Sequence, residues 1–147
     1  MQKKILLVED NANDADLAIR AFKKLNIANP MVVAEDGQEA LDYLFCTGKY
    51  SDRDITDTPA LVLLDLKLPV VSGMDVLRQI RSDERTKSHI VVILTSSKED
   101  QDLVKGYEIG TNSYIRKPVD FKEFTEVIRQ IGFYWLLLNE APHNNAC

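Results

Sequence analysis

Short apolar runs alternate with longer amphipathic stretches along almost the whole chain. Residues 3–8, 30–34, 60–64, 90–94 and 113–116 have the length and make-up of strands. The run 60–64 is apolar throughout, as a strand covered on both faces requires. Between the runs, residues 13–25, 38–45, 74–80 and 98–107 carry apolar side chains at helical spacing. Leu17, Phe22 and Leu25 share a face of the first of these, with Asn13 or Asp14 near its cap. Asp36-Gly37 and Ser72-Gly73 make the turns into the second and third. A final helix is predicted from Phe121 to about Leu138. Strand–helix alternation of this kind predicts an α/β fold with parallel pairing and right-handed crossovers. Residues 47–59 form a long polar loop. One domain is expected over 1–138, with 139–147 as a loose tail.

The chemistry sits where the apolar runs stop. Glu9-Asp10 follow the first run, Asp65 the third, Thr95 the fourth and Lys117-Pro118 the fifth. In a parallel α/β sheet, ligands bind outside the carboxyl ends of the strands, near the switch in strand order. All four groups then meet at one edge. Glu9, Asp10 and Asp65 would repel one another unless a cation intervenes. Mg2+ suits such a set, because it takes hard oxygen ligands and is often shared with phosphate oxygens. A carboxylate can act as nucleophile toward a phosphoryl donor, with lysine and metal offsetting charge on the transferring group. Singly, each residue also has an ordinary use. An acidic pair or a threonine caps helices, and Lys-Pro is common punctuation after a strand. The ordered set is what points to chemistry.

Composition narrows the class. With 147 residues, 45% apolar and 28% charged, the chain has the size and balance of one globular domain with a real core. A net charge of −5 without a basic stripe argues against nucleic-acid binding. The apolar runs are too short to span a bilayer, and Met1-Gln2-Lys3-Lys4 leads straight into a strand without a secretory signal. A cytoplasmic location is expected. Cys46 and Cys147 lack metal-ligand spacing and read as reduced thiols. His89 and His143 lie in no partner motif, and Arg78, Arg81, Arg85 and Lys87 read as a solvated face.

Leu6-Leu7-Val8-Glu9-Asp10-Asn11, Leu64-Asp65-Leu66-Lys67-Leu68-Pro69, Gly73, Leu94-Thr95-Ser96 and Lys117-Pro118 together resemble the receiver domain of two-component response regulators. The resemblance runs from about Lys3 to Ile131. It implies a flavodoxin-like, doubly wound (βα)5 fold with a five-stranded parallel sheet in the order 2-1-3-4-5. It implies Asp65 as phosphoacceptor, and Mg2+ held by Glu9, Asp10, Asp65 and the Lys67 backbone carbonyl. Thr95 and Lys117 would contact the phosphoryl group, and Tyr114 would be the switch aromatic. Pro118 would follow a cis peptide bond. Lys67 and Ser97 occupy the two positions that tune phosphoryl lifetime in the family. Ser72 stands where the family often has an acid.

A helix-turn-helix does not fit in 142–147, so a stand-alone receiver with protein-contact output or onward phosphotransfer is expected. The stretch Phe45-Cys46-Thr47-Gly48-Lys49-Tyr50 and the Tyr-Trp-Leu ending resemble small receivers whose sensor histidine kinase is often a bacterial, notably cyanobacterial, phytochrome. Phe124, Val127, Ile128 and Ile131 form a core stripe, whereas 133–138 is apolar all round. That excess predicts a homodimer through Phe133, Tyr134, Trp135 and Leu137, with loop 47–59 folding over this end as the competing arrangement. Three rival functions remain. An aspartate-nucleophile phosphohydrolase usually has a second Asp where Lys67 stands. A phosphorylation-independent binding receiver does not need the intact site. A flavin binder needs a phosphate-cradling loop after the first strand.

Overall fold

The computed structural model describes residues 3–117 and 120–138. β1 (Ile5–Val8), β2 (Met31–Ala34), β3 (Leu61–Leu64), β4 (Val91–Thr95) and β5 (Ser113–Arg116) form one parallel sheet in the order β2-β1-β3-β4-β5. Five helices alternate with them: α1 (Ala12–Lys24), α2 (Gly37–Phe45), α3 (Gly73–Ser82), α4 (Asp100–Ile109) and α5 (Phe121–Ile131). This is the flavodoxin-like, doubly wound (βα)5 arrangement.

The two-residue period of a strand splits the apolar runs between two cores. Leu6, Val8, Val62 and Leu64 face Leu41 and Leu44 of α2 and Val76, Leu77 and Ile80 of α3. Ile5, Leu7, Leu61 and Leu63 face Ala18 and Phe22 of α1 and Phe124 and Ile128 of α5. All four residues of β1 and of β3 are buried, which explains why their sequences do not alternate. Burying a Leu or Val side chain stabilises by about 1.5–3 kcal/mol, so these central strands anchor the fold.

Helix starts are fixed by side chains that accept a free amide at the first turn. Asn11, Asp36, Ser72 and Asp120 do this for α1, α2, α3 and α5. The cap of α1 is therefore Asn11, upstream of the Asn13 or Asp14 expected.

Two other expectations change. Loop 47–59 contains a short 3-10 turn, Gly48–Tyr50, and folds onto α2. The Tyr50 hydroxyl donates to Glu39 Oε2 at 2.7 Å, its ring packs edge-on to Tyr43, and the Arg53 guanidinium stacks 3.8 Å from the Tyr43 ring centre. Tyr50 thus joins the α2/α3 core, while Trp135 and Leu136 join the opposite one, so this loop does not cover the last segment. The final helix also does not run regularly to Leu138. α5 ends at Ile131, and the chain continues as a wider π turn, Gly132–Leu138. Gly132 lies against Ile27, where an added Cβ would stand 2.7 Å from Ile27 Cδ1. The wider turn presents Trp135 and Leu136 to the α1/α5 core. The tail 139–147 lies outside the described residues.

The loop between β3 and α3 is drawn tight. The Leu66 carbonyl accepts from Leu68 N at 3.2 Å and from Gly73 N at 2.9 Å. A Cβ on Gly73 would sit 2.0 Å from the Asp65 carbonyl oxygen, so only glycine fits there. Val70, at the tip, has φ +70°. For a β-branched residue this left-handed backbone is an outlier costing about 1–3 kcal/mol.

Candidate functional site

Strand register brings the charged groups to one level. Val8 pairs with Leu64, so Glu9 and Asp65 leave neighbouring strands side by side. Thr95 pairs with Arg116, and Lys117 N donates to the Thr95 carbonyl at 2.8 Å, which sets the lysine beside the threonine. The strand order reverses at β1, opening the crevice at this carboxyl edge.

Asp65 is 7% exposed and both of its carboxylate oxygens have partners. Oδ1 accepts from Thr95 Oγ1 at 2.9 Å and from Leu66 N at 2.7 Å. Oδ2 accepts from Lys117 Nζ at 3.3 Å. The same ammonium donates to Glu9 Oε1 and, at 3.1 Å, to Asp14 Oδ2. Glu9 is 4% exposed, whereas Asp10 opens to solvent. Glu9, Asp10 and Asp65 each offer an oxygen, and the three lie within 4.8 Å of one another.

Burial pushes the Glu9 carboxyl up to about 7, assisted by the Asp65 charge and opposed by its hydrogen bonds from Lys117 and Asn11. Burial disfavours the Lys117 ammonium, but the Glu9 hydrogen bond and the Asp65 and Glu9 charges outweigh it and hold the pKa above its ordinary value. One lysine therefore faces more carboxylate than it balances. That donor set fits a hard dication: oxygen only, compact, and open to water at Asp10. No helix among the described residues is long and apolar enough to cross a membrane.

The other sequence candidates are placed as follows. Tyr114, in β5, is half-buried with its ring against Gly106 of α4. Ser97 is buried, and its hydroxyl donates to Asp102 Oδ2 at 2.6 Å. The Lys67 side chain is exposed. Pro118 lies outside the described residues. Phe133 and Tyr134 are half-exposed, Trp135 packs on its own domain, and the Leu137 side chain lies outside the described residues. Asp14 is the member that sequence reasoning missed. It lies in the first turn of α1, where an acid commonly complements the helix dipole, so the sequence alone carries no signal that sets it apart.

A doubly wound sheet with acids, a threonine and a lysine converging at its carboxyl edge defines the class of two-component receivers. The model of the response regulator receiver domain matches residues 5–129, and the chain belongs to this family. The probable methanogenesis regulatory protein FilR2 of Methanothrix harundinacea (strain 6Ac) is 41% identical over 138 residues, 94% of this chain and 86% of that one. Response regulator Rcp1 of Synechocystis sp. (strain ATCC 27184 / PCC 6803 / Kazusa) is 34% identical over 134 residues, 91% of this chain and 89% of that one. A crystal structure of the Mn(2+)-bound form of Rcp1 aligns with TM-score 0.87 at 33% identity, covering 95% of this chain and 99% of that one. The phosphorylated cyanobacterial phytochrome response regulator RcpA aligns at 0.89 and 34%, covering 97% and 99%. The bacteriophytochrome response regulator AtBRR aligns at 0.76 and 50%, covering 95% and 99%. The chain is thus similar to phytochrome-associated response regulators, and its family is a signalling family rather than one of conventional enzymes.

Proposed function

We propose that this chain is a phosphorylation-driven switch in which Asp65 takes a phosphoryl group from a sensor histidine kinase of the phytochrome type. A carboxylate oxygen of Asp65 attacks phosphorus of the kinase phosphohistidine. The P–N bond breaks with its electron pair left on the imidazole, which takes a proton from solvent, and an acyl phosphate forms. Lys117 then shares its ammonium between the carboxylates and the new phosphoryl oxygens. Thr95 leaves Asp65 Oδ1 to bond a phosphoryl oxygen, and Tyr114 follows it inward. Glu9, Asp10, Asp65 and the Lys67 carbonyl would hold Mg2+. When bound, that ion offsets the charge crowded onto the carboxylates and the phosphoryl group.

The observation that carries this reading is Asp65 itself. It is bracketed by Thr95 Oγ1 at 2.9 Å and Lys117 Nζ at 3.3 Å, beside two further acids. The similarity to RcpA and AtBRR supports the phytochrome-type donor. The output is a protein contact, and the location that goes with it is the cytoplasm. Catalysis extends no further than self-phosphorylation from small donors and loss of the chain's own phosphoryl group.

Acetyl phosphate with Mg2+ tests this directly. Wild type gains the mass of one phosphoryl group and Asp65→Asn does not; equal labelling of the two removes the reading. A homodimer through the half-exposed Phe133 and Tyr134 belongs to the same proposal. A chain that stays monomeric in sedimentation at high concentration, phosphorylated or not, removes that part.

A further inference from the structure

The Lys117 ammonium has three N–H donors, and a different carboxylate takes each: Glu9 Oε1, Asp14 Oδ2 at 3.1 Å and Asp65 Oδ2 at 3.3 Å. Glu9 and Asp65 belong with Asp10 to the compact oxygen set that suits a dication, and Asp14 does not. The acids that would hold the ion are therefore the acids that now hold the lysine. Ion and lysine compete for them, and Asp14 stands outside that competition. Its carboxylate comes from the first turn of α1 rather than from a strand end. That turn is fixed in place: Asn11 Oδ1 accepts from Asp14 N at 3.0 Å, and Ala15 and Ala18 are buried in the α1/α5 core. The Lys117 side chain is 9% exposed, against 39% for Asp14. An ammonium so enclosed is costly to leave without an acceptor.

We infer that Asp14 is a positioning residue for Lys117, the acceptor that the lysine keeps when a divalent cation draws on Glu9 and Asp65. The inference rests on the reading of Glu9, Asp10 and Asp65 as the metal acids. Asp14 acts in two ways. It lowers the cost of metal entry, because the displaced ammonium retains a charged partner. It also holds the ammonium beside Asp65, where its other two donors are free for phosphoryl oxygens. Asp14 itself touches neither the ion nor the phosphoryl group, so all of its effect runs through the lysine. A fourth metal acid, or a distant negative charge that attracts the ion, would act whether or not the lysine is present.

A double-mutant cycle separates these roles. Mg2+ affinity is measured by calorimetry in wild type, Asp14→Ala, Lys117→Met and the double variant. Asp14→Ala should weaken Mg2+ binding about fivefold in the wild-type background, the worth of one charged hydrogen bond. In the Lys117→Met background, with no lysine to displace, the same change should cost about twofold or less, as expected for a screened charge. Equal losses in the two backgrounds overturn the inference and make Asp14 a metal acid or a distant charge. Unchanged Mg2+ affinity in Asp14→Ala overturns it as well. If Lys117→Met does not fold, the 1H–15N NMR signal of the Lys117 ammonium in saturating Mg2+ decides. The signal should persist in wild type and be lost to solvent exchange in Asp14→Ala; a signal equally sharp in both proteins overturns the inference. Wild type that binds no Mg2+ is a distinct result: it strikes the reading of the metal acids, and the inference falls with it.

Discussion

The Thr95 hydroxyl donates to Asp65 Oδ1 at 2.9 Å, tying the end of β4 to the end of β3 across 30 positions of sequence. The lysine occupies the other oxygen, so each side of the carboxylate has its own partner. A phosphoryl group cannot arrive without rearranging one of these bonds. Thr95→Ala should therefore still take up phosphate at Asp65 but no longer pass the event to Tyr114. The expected stability loss is about 1 kcal/mol, that of one buried hydrogen bond. NMR of the Tyr114 ring with and without acetyl phosphate checks it; a wild-type response in the variant contradicts it.

Lys117 is the cation the buried acids depend on, with its side chain 9% exposed. Lys117→Met leaves Glu9 and Asp65 buried without it. In chelator the variant should be about 3–5 kcal/mol less stable than wild type, as for a broken buried pair. Mg2+ should then stabilise the variant more than wild type, because it supplies the charge the lysine supplied. Urea unfolding with and without Mg2+ reads both effects, and an equal Mg2+ gain in the two proteins contradicts the account.

His89 gives a pH dependence of known sign. Burial, with the Arg81, Arg53 and Lys3 charges, lowers its pKa from 6.5 to about 4. Between those values the unfolded chain binds the proton that the folded chain refuses, so this contribution to stability falls as pH falls. The upper limit is about 3 kcal/mol. Glu9 acts in the opposite sense, since its raised pKa lets the folded state bind a proton first. Comparing wild type with His89→Gln removes that common term. Wild type should lose more stability than the variant from pH 7 to pH 4 in urea titrations; parallel losses would refute the assignment.

Lys67 and Ser97 should set how long the phosphoryl group stays. Ser97 is turned toward Asp102, while Lys67 is exposed beside Asp65. Exchanging both for Asn and Glu should change the acyl-phosphate half-life by about threefold or more, with Lys67→Asn alone accounting for most of it. An unchanged half-life discards the idea.

The sequence made the site legible because each reactive residue directly follows an apolar run, and a parallel sheet sends all such ends to one edge. Strand order was not in the periodicity; it came with the family resemblance. Asp14 stayed hidden because an acid in a first helical turn is ordinary, and only folding places it 3.1 Å from Lys117. Arg81 looked like surface charge, yet it donates to the carbonyls of Gly110, Lys87 and His89 and to Asn112, holding the end of α3 to two loops. A lone arginine at helical spacing carries no mark of such tertiary partners. The left-handed backbone at Val70 was equally invisible, since valine gives no signal for positive φ. The regular helix expected through Leu138 failed at Gly132, where contact with Ile27 and the packing of Trp135 and Leu136 favour a wider turn.

Locating the phosphoryl group is the most direct test of the whole account. An autophosphorylated phytochrome-type histidine kinase is mixed with wild type and with Asp65→Asn, and the peptides are mapped by mass spectrometry. One label on the Asp65 peptide of wild type, and none on the variant, is the predicted result. A label on another residue, or one that survives Asp65→Asn undiminished, contradicts it.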